Sequence, residues 1–272
     1  MGLAKFYSQI RKKETLVKKT LSNCKRIQIK INNYPSTFIR KTRMETSQNL
    51  KAFVLGATGA VGRLLVSELL SSPQWSEITV VVRRRLKGWD RLPPNEQKKL
   101  KVIMKPTLDV LEDVSQWDLT GYSTIFCCLG SQKKYGEKIF VKVDYTYPLY
   151  AANLARHFNV PHYSIVTSER ANPKSLAMYF KTKGEVEEAL KALEMPHLSI
   201  FRPGILLHRM NDMRLKENII GRLLFVPKNE TENVAKALRI EAEIQHKSPS
   251  KENVKIYQYK MIDYIANHNQ LP

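Results

Sequence analysis

Ala52-Phe53-Val54-Leu55-Gly56-Ala57-Thr58-Gly59-Ala60-Val61-Gly62 reads as a short apolar strand, a glycine-punctuated turn and the opening of a helix. The helix continues through Arg63-Leu64-Leu65-Val66-Ser67-Glu68-Leu69-Leu70 and stops before Pro73. Val61, Leu64, Leu65 and Leu69 recur at helical spacing, so one face of it is apolar. In such a corner Gly56 allows the tight turn, Gly59 lets the backbone approach a pyrophosphate, and Gly62 lets the helix lie near the sheet. The helix N-terminus offers unpaired N–H groups and a partial positive charge to phosphates. The dinucleotide-binding residues expected here are Gly56, Thr58, Gly59, Ala60, Val61 and Gly62. The spacing is G-x-x-G-x-x-G, which a plain strand–turn–helix corner can also carry, so the flanking chain has to decide.

Downstream, strand and helix patterns alternate. Ile78–Val82 is continuous and β-branched, as in a strand buried on both faces. Val102–Met104, Thr124–Cys128, Tyr163–Thr167 and Leu198–Phe201 are further strands, with helices over about 145–158 and 175–193. This rhythm predicts an α/β fold: a doubly wound parallel (Rossmann) sheet with helices on both faces. In the last sixty residues, 232–244 reads as a helix, 255–259 as an extra strand and 261–266 as a final helix. They form a small substrate-side extension of the single domain 51–272.

Arg83-Arg84-Arg85 follow the second strand, where a dinucleotide fold faces the adenosine ribose. Arginines there favour a 2′-phosphate, hence NADP(H), where an acid would favour NAD. A solvated basic loop is the alternative. Tyr179 and Lys183 are four residues apart on a helix and share a face. A close ammonium favours the phenolate, so such a tyrosine can protonate a carbonyl oxygen as hydride arrives at carbon. Thr167-Ser168 ends the fifth strand at the carboxyl edge of the sheet. A hydroxyl there can polarise a carbonyl, or simply cap a loop.

Taken in order, several stretches resemble the atypical short-chain dehydrogenase/reductases of the Tat-interacting oxidoreductase type, a family with fungal mitochondrial outer-membrane relatives. They are Leu55–Arg63, Arg83–Leu86, Phe126–Gly130, Val141–Asp144, Tyr179–Glu187 and Phe201–Gly204. The likeness covers about 51–208. It implies an NADP(H)-binding Rossmann fold, with Tyr179 as acid, Lys183 as its partner and Ser168, or Thr167, orienting the carbonyl. Leu129 and Gly130 would line the coenzyme, and Pro203 and Gly204 would pass beside the nicotinamide. The implied function is hydride transfer to a small-molecule carbonyl. The alternative is a catalytically weak NADPH-binding scaffold or assembly subunit, as in a mitochondrial complex. The acid that relatives often place near the adenine is replaced by Thr107, with Asp109 displaced.

Charge is uneven. Residues 1–50 carry 12 Lys and Arg against Glu14 and Glu45, a net of +10 out of the chain's +20. Phe6, Ile10, Val17 and Leu21 form an apolar helical face among lysines. This basic leader reads as a mitochondrial targeting segment, a helix on anionic lipid at the outer membrane, or a disordered arm contacting a protein complex. A product starting at Met44 would lose it and stay cytoplasmic. No interleaved aromatic platform accompanies the charge, which argues against nucleic acid. Cys24, Cys127 and Cys128 make no disulfide framework. His157, His162, His197, His208, His246 and His268 have no metal-ligand spacing. The absence of a G-x-x-x-x-G-K-[ST] loop excludes a P-loop nucleotide triphosphatase.

Overall fold

The computed structural model describes residues 49–132, 135–207 and 227–272, so the expectations placed on the basic leader lie outside the described residues. Strands β1 (Leu50–Leu55), β2 (Trp75–Val82), β3 (Leu100–Met104), β4 (Thr124–Cys127), β5 (His162–Val166), β6 (His197–Arg202) and β9 (Val254–Gln258) form one sheet. Its order is β3-β2-β1-β4-β5-β6-β9, and every pairing is parallel. The order reverses between β1 and β4, the switch point at which open α/β sheets bind ligands. A separate parallel pair joins β7 (Ile205–Leu207) to β8 (Lys228–Glu230), a feature the sequence pattern does not announce.

The helices are α1 (Ala60–Ser71), α2 (Glu137–Val141), α3 (Tyr147–His157), α4 (Met178–Lys191), α5 (Thr231–Lys247) and α6 (Tyr259–His268), besides a single turn at Pro94–Gln97. Between α2 and α3 the chain takes a π-helical turn, Lys142–Thr146. Helicity therefore starts at Glu137, well before the expected Tyr145.

The central strands are apolar on both faces because helices cover both. Ala52, Phe53, Val54 and Leu55 are all fully buried, as are Ile125 and Phe126. α1, α5 and α6 pack together as one layer. Glu243 of α5 joins that layer to the α1–β2 turn. Its carboxylate accepts from Ser72 Oγ at 2.7 Å, Trp75 Nε1 at 2.9 Å and Arg239 Nη1 at 2.8 Å. Arg239 also bonds Glu68 of α1 at 3.0 Å. Residues 231–268 thus supply a seventh strand and two covering helices of the same sheet.

A buried polar chain crosses the amino-terminal half of the sheet beneath α5. Thr124 Oγ1 is 2.9 Å from His246 Nε2 and 3.2 Å from His162 Nδ1. His162 Nε2 is 2.9 Å from Ser199 Oγ, which donates to Glu241 Oε1 at 2.7 Å. Because Ser199 gives its proton to Glu241, it accepts from His162, which fixes His162 as the Nε2–H tautomer. Burial disfavours every charge here. It pushes Glu241 up to about 7 and His246 down to about 4, and holds His162 well below the usual imidazole value.

The two shifts act on stability in opposite directions. The histidine contribution is complete above the ordinary imidazole value and is lost as pH falls toward about 4. The Glu241 contribution is complete below the ordinary carboxylate value and is lost as pH rises through about 7. Glu241→Gln removes only the second. Thermal melts from pH 5 to 8 should show it gaining on the native chain as pH rises, by about 3 kcal/mol at the alkaline end. Parallel curves would contradict this assignment.

Candidate functional site

The glycine corner is built by close approaches. Gly56 has φ +78°, and a Cβ there would lie 2.6 Å from the carbonyl of Cys128, at the end of β4. A Cβ on Gly62 would lie 2.2 Å from Gly56 O, so α1 is pressed against the turn it leaves. Gly59 is exposed, caps α1 and has its own N–H bonded to Gly56 O at 2.9 Å. The N–H groups of Ala60, Val61 and Gly62 have no acceptor within the helix, as at any helix start. This is an anion cradle with no side chain projecting into it from Gly56, Gly59 or Gly62. Thr58 is half-buried beside them.

Arg83 and Arg84 leave β2 exposed and have no ion-pair partner among the described residues. Arg85, by contrast, bonds Asp90 at 2.7 Å. Two of the three arginines are therefore available to an anion at the carboxyl edge of β2.

From β4 the site continues through Leu129, half-buried, and Gly130, exposed. The N–H of Ser131 then donates to Asp144 Oδ2 at 2.8 Å. Asp144 lies in the π turn, and its Oδ1 pairs with Lys183 Nζ of α4 at 2.8 Å. Both side chains are buried, at 5% and 0% exposure. Burial works against the Lys183 ammonium, but the Asp144 carboxylate outweighs it and holds the lysine above its ordinary value. Tyr179, one turn earlier on α4, is half-buried, with its ring 5.8 Å from Phe140 and 5.2 Å from Phe180. Gly184 lets α4 press on the preceding loop, since a Cβ there would lie 2.2 Å from Pro173 N.

Ser168 is half-buried just past β5. Thr167 N bonds Phe201 O at 2.8 Å and Glu169 N bonds Pro203 O at 2.9 Å, which sets Ser168 beside the Arg202-Pro203 exit of β6. Pro203 is buried. Thr167, the alternative carbonyl orienter, is corrected here. It is buried, and its hydroxyl donates to Glu187 Oε1 at 2.6 Å. Glu187 also holds Arg202, whose Nε is 3.1 Å from Oε1. Of the two hydroxyls, Ser168 is the one left for a ligand.

Asp109 is likewise engaged, pairing with Lys142 at 2.6 Å and accepting from Tyr147 Oη at 3.4 Å. Cys127 is buried and Cys128 half-buried, and burial pushes both thiols up, so they are inert apolar fillers. Among the described residues no cluster of three His, Cys, Asp or Glu side chains could hold a metal ion.

Two residues of this constellation escaped the sequence reading. Asp144 stood inside a quoted stretch without a role, although a carboxylate closing the run Ile139-Phe140-Val141-Lys142-Val143-Asp144 is itself a signal. Glu187 had none, because its partners lie on β5 and β6.

No family model matches the chain. Individual relatives do. It is 35% identical over 161 residues to Protein HTATIP2 of Rattus norvegicus, covering 59% of this chain and 64% of that one, just under two thirds. It is 32% identical over 160 residues to the mitochondrial protein FMP52-1 of Scheffersomyces stipitis, covering 58% of this chain and 68% of the relative. With FMP52 of Candida albicans it shares 31% identity over 188 residues, covering 64% and 75%.

The chain belongs to the FMP52 family. The resemblance to atypical short-chain dehydrogenase/reductases thus holds, and the mitochondrial location expected for this chain agrees with the names of its FMP52 relatives. The fold of this FMP52-family chain is similar to that of the reductase domain of PhqB from Penicillium fellutanum. There the TM-score is 0.62 at 16% identity, covering 87% of this chain and 71% of that one. It is also similar to MoeE5 solved with UDP-glucose and NAD, with TM-score 0.58 and 15% identity, covering 76% and 75%.

Within this FMP52-family site the Asp144–Lys183 pair can be tested by a double-mutant cycle. Asp144→Asn leaves a buried ammonium without its counter-charge and should cost about 3 kcal/mol in urea unfolding. Adding Lys183→Met should recover more than half of that loss. Additive losses would mean the two side chains do not act as a pair.

Proposed function

We propose that this chain binds NADPH and reduces a small carbonyl compound, with Tyr179 as the acid. One observation carries the reading: the glycine corner and the helix that carries the tyrosine are tied to the same strand exit. Gly56 packs on Cys128, the β4 exit leads through Leu129 and Gly130 to Ser131, Ser131 holds Asp144, and Asp144 holds Lys183 one turn from Tyr179. The glycine corner and the helix of Tyr179 thus share one carboxyl edge, which supports reading them as a phosphate site and a proton donor side by side.

The residues present fit a dinucleotide. Gly56 and Gly62 leave no room for a Cβ, and the N–H groups of Ala60, Val61 and Gly62 face no helical acceptor. Arg83 and Arg84, exposed and unpaired among the described residues, would take a 2′-phosphate bidentately, which favours NADP(H) over NAD(H). Leu129, Gly130 and Pro203 would line the remainder. The bound coenzyme supplies a hydride to the carbonyl carbon. Ser168 would hydrogen-bond the carbonyl oxygen and draw charge onto it. The Tyr179 hydroxyl would give its proton to that oxygen, leaving an alcohol and a phenolate that solvent reprotonates. Lys183, held charged by Asp144, would stabilise that phenolate.

Tyr179→Phe should lower turnover at least about a hundredfold, within the range of acid catalysis, with NADPH affinity within twofold of the native value. Unchanged turnover removes Tyr179 from the role. NADPH binding and thermal stabilisation without reduction across an aldehyde and quinone panel would instead favour a coenzyme-holding scaffold. Arg84→Ala should reduce the preference for NADPH over NADH by about tenfold, the size of one charge-assisted contact, read by nucleotide fluorescence. An intact preference would sink the 2′-phosphate assignment.

A further inference from the structure

We infer that the carbonyl compound taken at Tyr179 carries an extended apolar group, alkyl or aryl, and no anionic group. The inference rests on the oxidoreductase reading and adds its substrate class.

Four large apolar side chains stand exposed among the described residues: Met104, Tyr135, Ile139 and Leu176. Three of them lie on the two segments that meet at Tyr179. Ile139 precedes Phe140, whose ring is 5.8 Å from that of Tyr179. Tyr135 stands at the approach to the same helix, and Leu176 is three residues before Tyr179 on the loop that enters α4.

That loop is built. Lys174 N bonds Asn172 Oδ1 at 2.9 Å, Ser175 N bonds Asn172 O at 3.0 Å, and Ala177 N bonds Ser175 Oγ at 3.2 Å. Asn172 N in turn bonds Phe180 O at 3.0 Å on α4. Leu176 is therefore held out in water, at 105% exposure, by a hydrogen-bonded frame. Apolar surface fixed in solvent beside the helix of Tyr179 is stabilised when something apolar covers it.

The charges at the same edge point the same way. Among the described residues, the buried Lys183 and half-buried Arg202 are each matched by a buried carboxylate, Asp144 and Glu187. An anionic substrate group would have to break one of these pairs and strand a buried charge. Arg170 and Lys174 are exposed on the loop, and the succinic semialdehyde titration below tests whether either takes an anion. The wall around Tyr179 is Phe140 and Phe180, which suits an alkyl or aryl group.

The test uses the full chain carrying Tyr179→Phe, loaded with NADPH, so that binding is read without turnover. Butanal, heptanal, decanal and succinic semialdehyde are titrated by nucleotide fluorescence. Affinity should rise at least about tenfold from butanal to decanal, since each fully buried methylene is worth roughly fourfold, and succinic semialdehyde should bind no better than butanal. Adding Leu176→Ser with Ile139→Ser should flatten the series to within about twofold, with melting temperature unchanged because both positions are exposed. Equal affinities along the series, a slope that survives the rim substitutions, or tightest binding of the semialdehyde would each overturn the inference. Calorimetric titration without NADPH and turnover by the native chain keep the two readings apart. Chain-length-dependent binding with no turnover defeats hydride transfer alone. Normal turnover with a flat series defeats the apolar substrate alone.

Discussion

The buried pair of Asp144 and Lys183 is the constraint on which the candidate site depends. Two charges withdrawn from water gain from each other only when their geometry is fixed and their remaining polar atoms are satisfied. Asp144 meets that condition by also accepting from Ser131 N, so one carboxylate ties the exit of β4, the π turn and α4 together. A π turn inserts a residue into a helix and re-aims the side chains it carries, a distortion that recurs at functional sites. Here it brings Asp144 inward from a chain that an undistorted helix would have presented differently.

Around that pair the carboxyl edge is stitched by a second set of bonds. Glu187 takes the hydroxyl of Thr167 and the guanidinium of Arg202, locking the ends of β5 and β6 to α4. Glu169 accepts from Tyr259 N, which brings the end of β9 into the same frame. Ser168 and Pro203 are held between these anchors. The proposed roles of Tyr179 and Ser168 would need such support, because small misplacements cost large factors in rate.

The opposite end of the sheet solves burial differently. Beneath α5 burial works against charge, and His162, Ser199, Glu241 and Thr124 pass hydrogen bonds along a chain. The Asp144–Lys183 and Glu187–Arg202 pairs lie at the carboxyl edge, where coenzyme and substrate are proposed to bind, while the Arg239 pairs with Glu68 and Glu243 tie α5 to α1.

Much of this was legible in the chain. The strand–turn–helix of Ala52–Gly62, the β-branched runs and the arginines after β2 fixed the parallel sheet and its phosphate corner, because hydrophobic period and glycine placement act locally. Tyr179 and Lys183 were legible as a pair because helix geometry alone puts residues four apart on one face. Tertiary structure decided what lies across the fold. It paired Lys183 with Asp144, withdrew Thr167 into the bond with Glu187, placed 254–258 as a seventh strand, and formed the small β7–β8 pair. Those outcomes depend on which groups meet when distant segments pack, and spacing along the chain does not encode a distance across it.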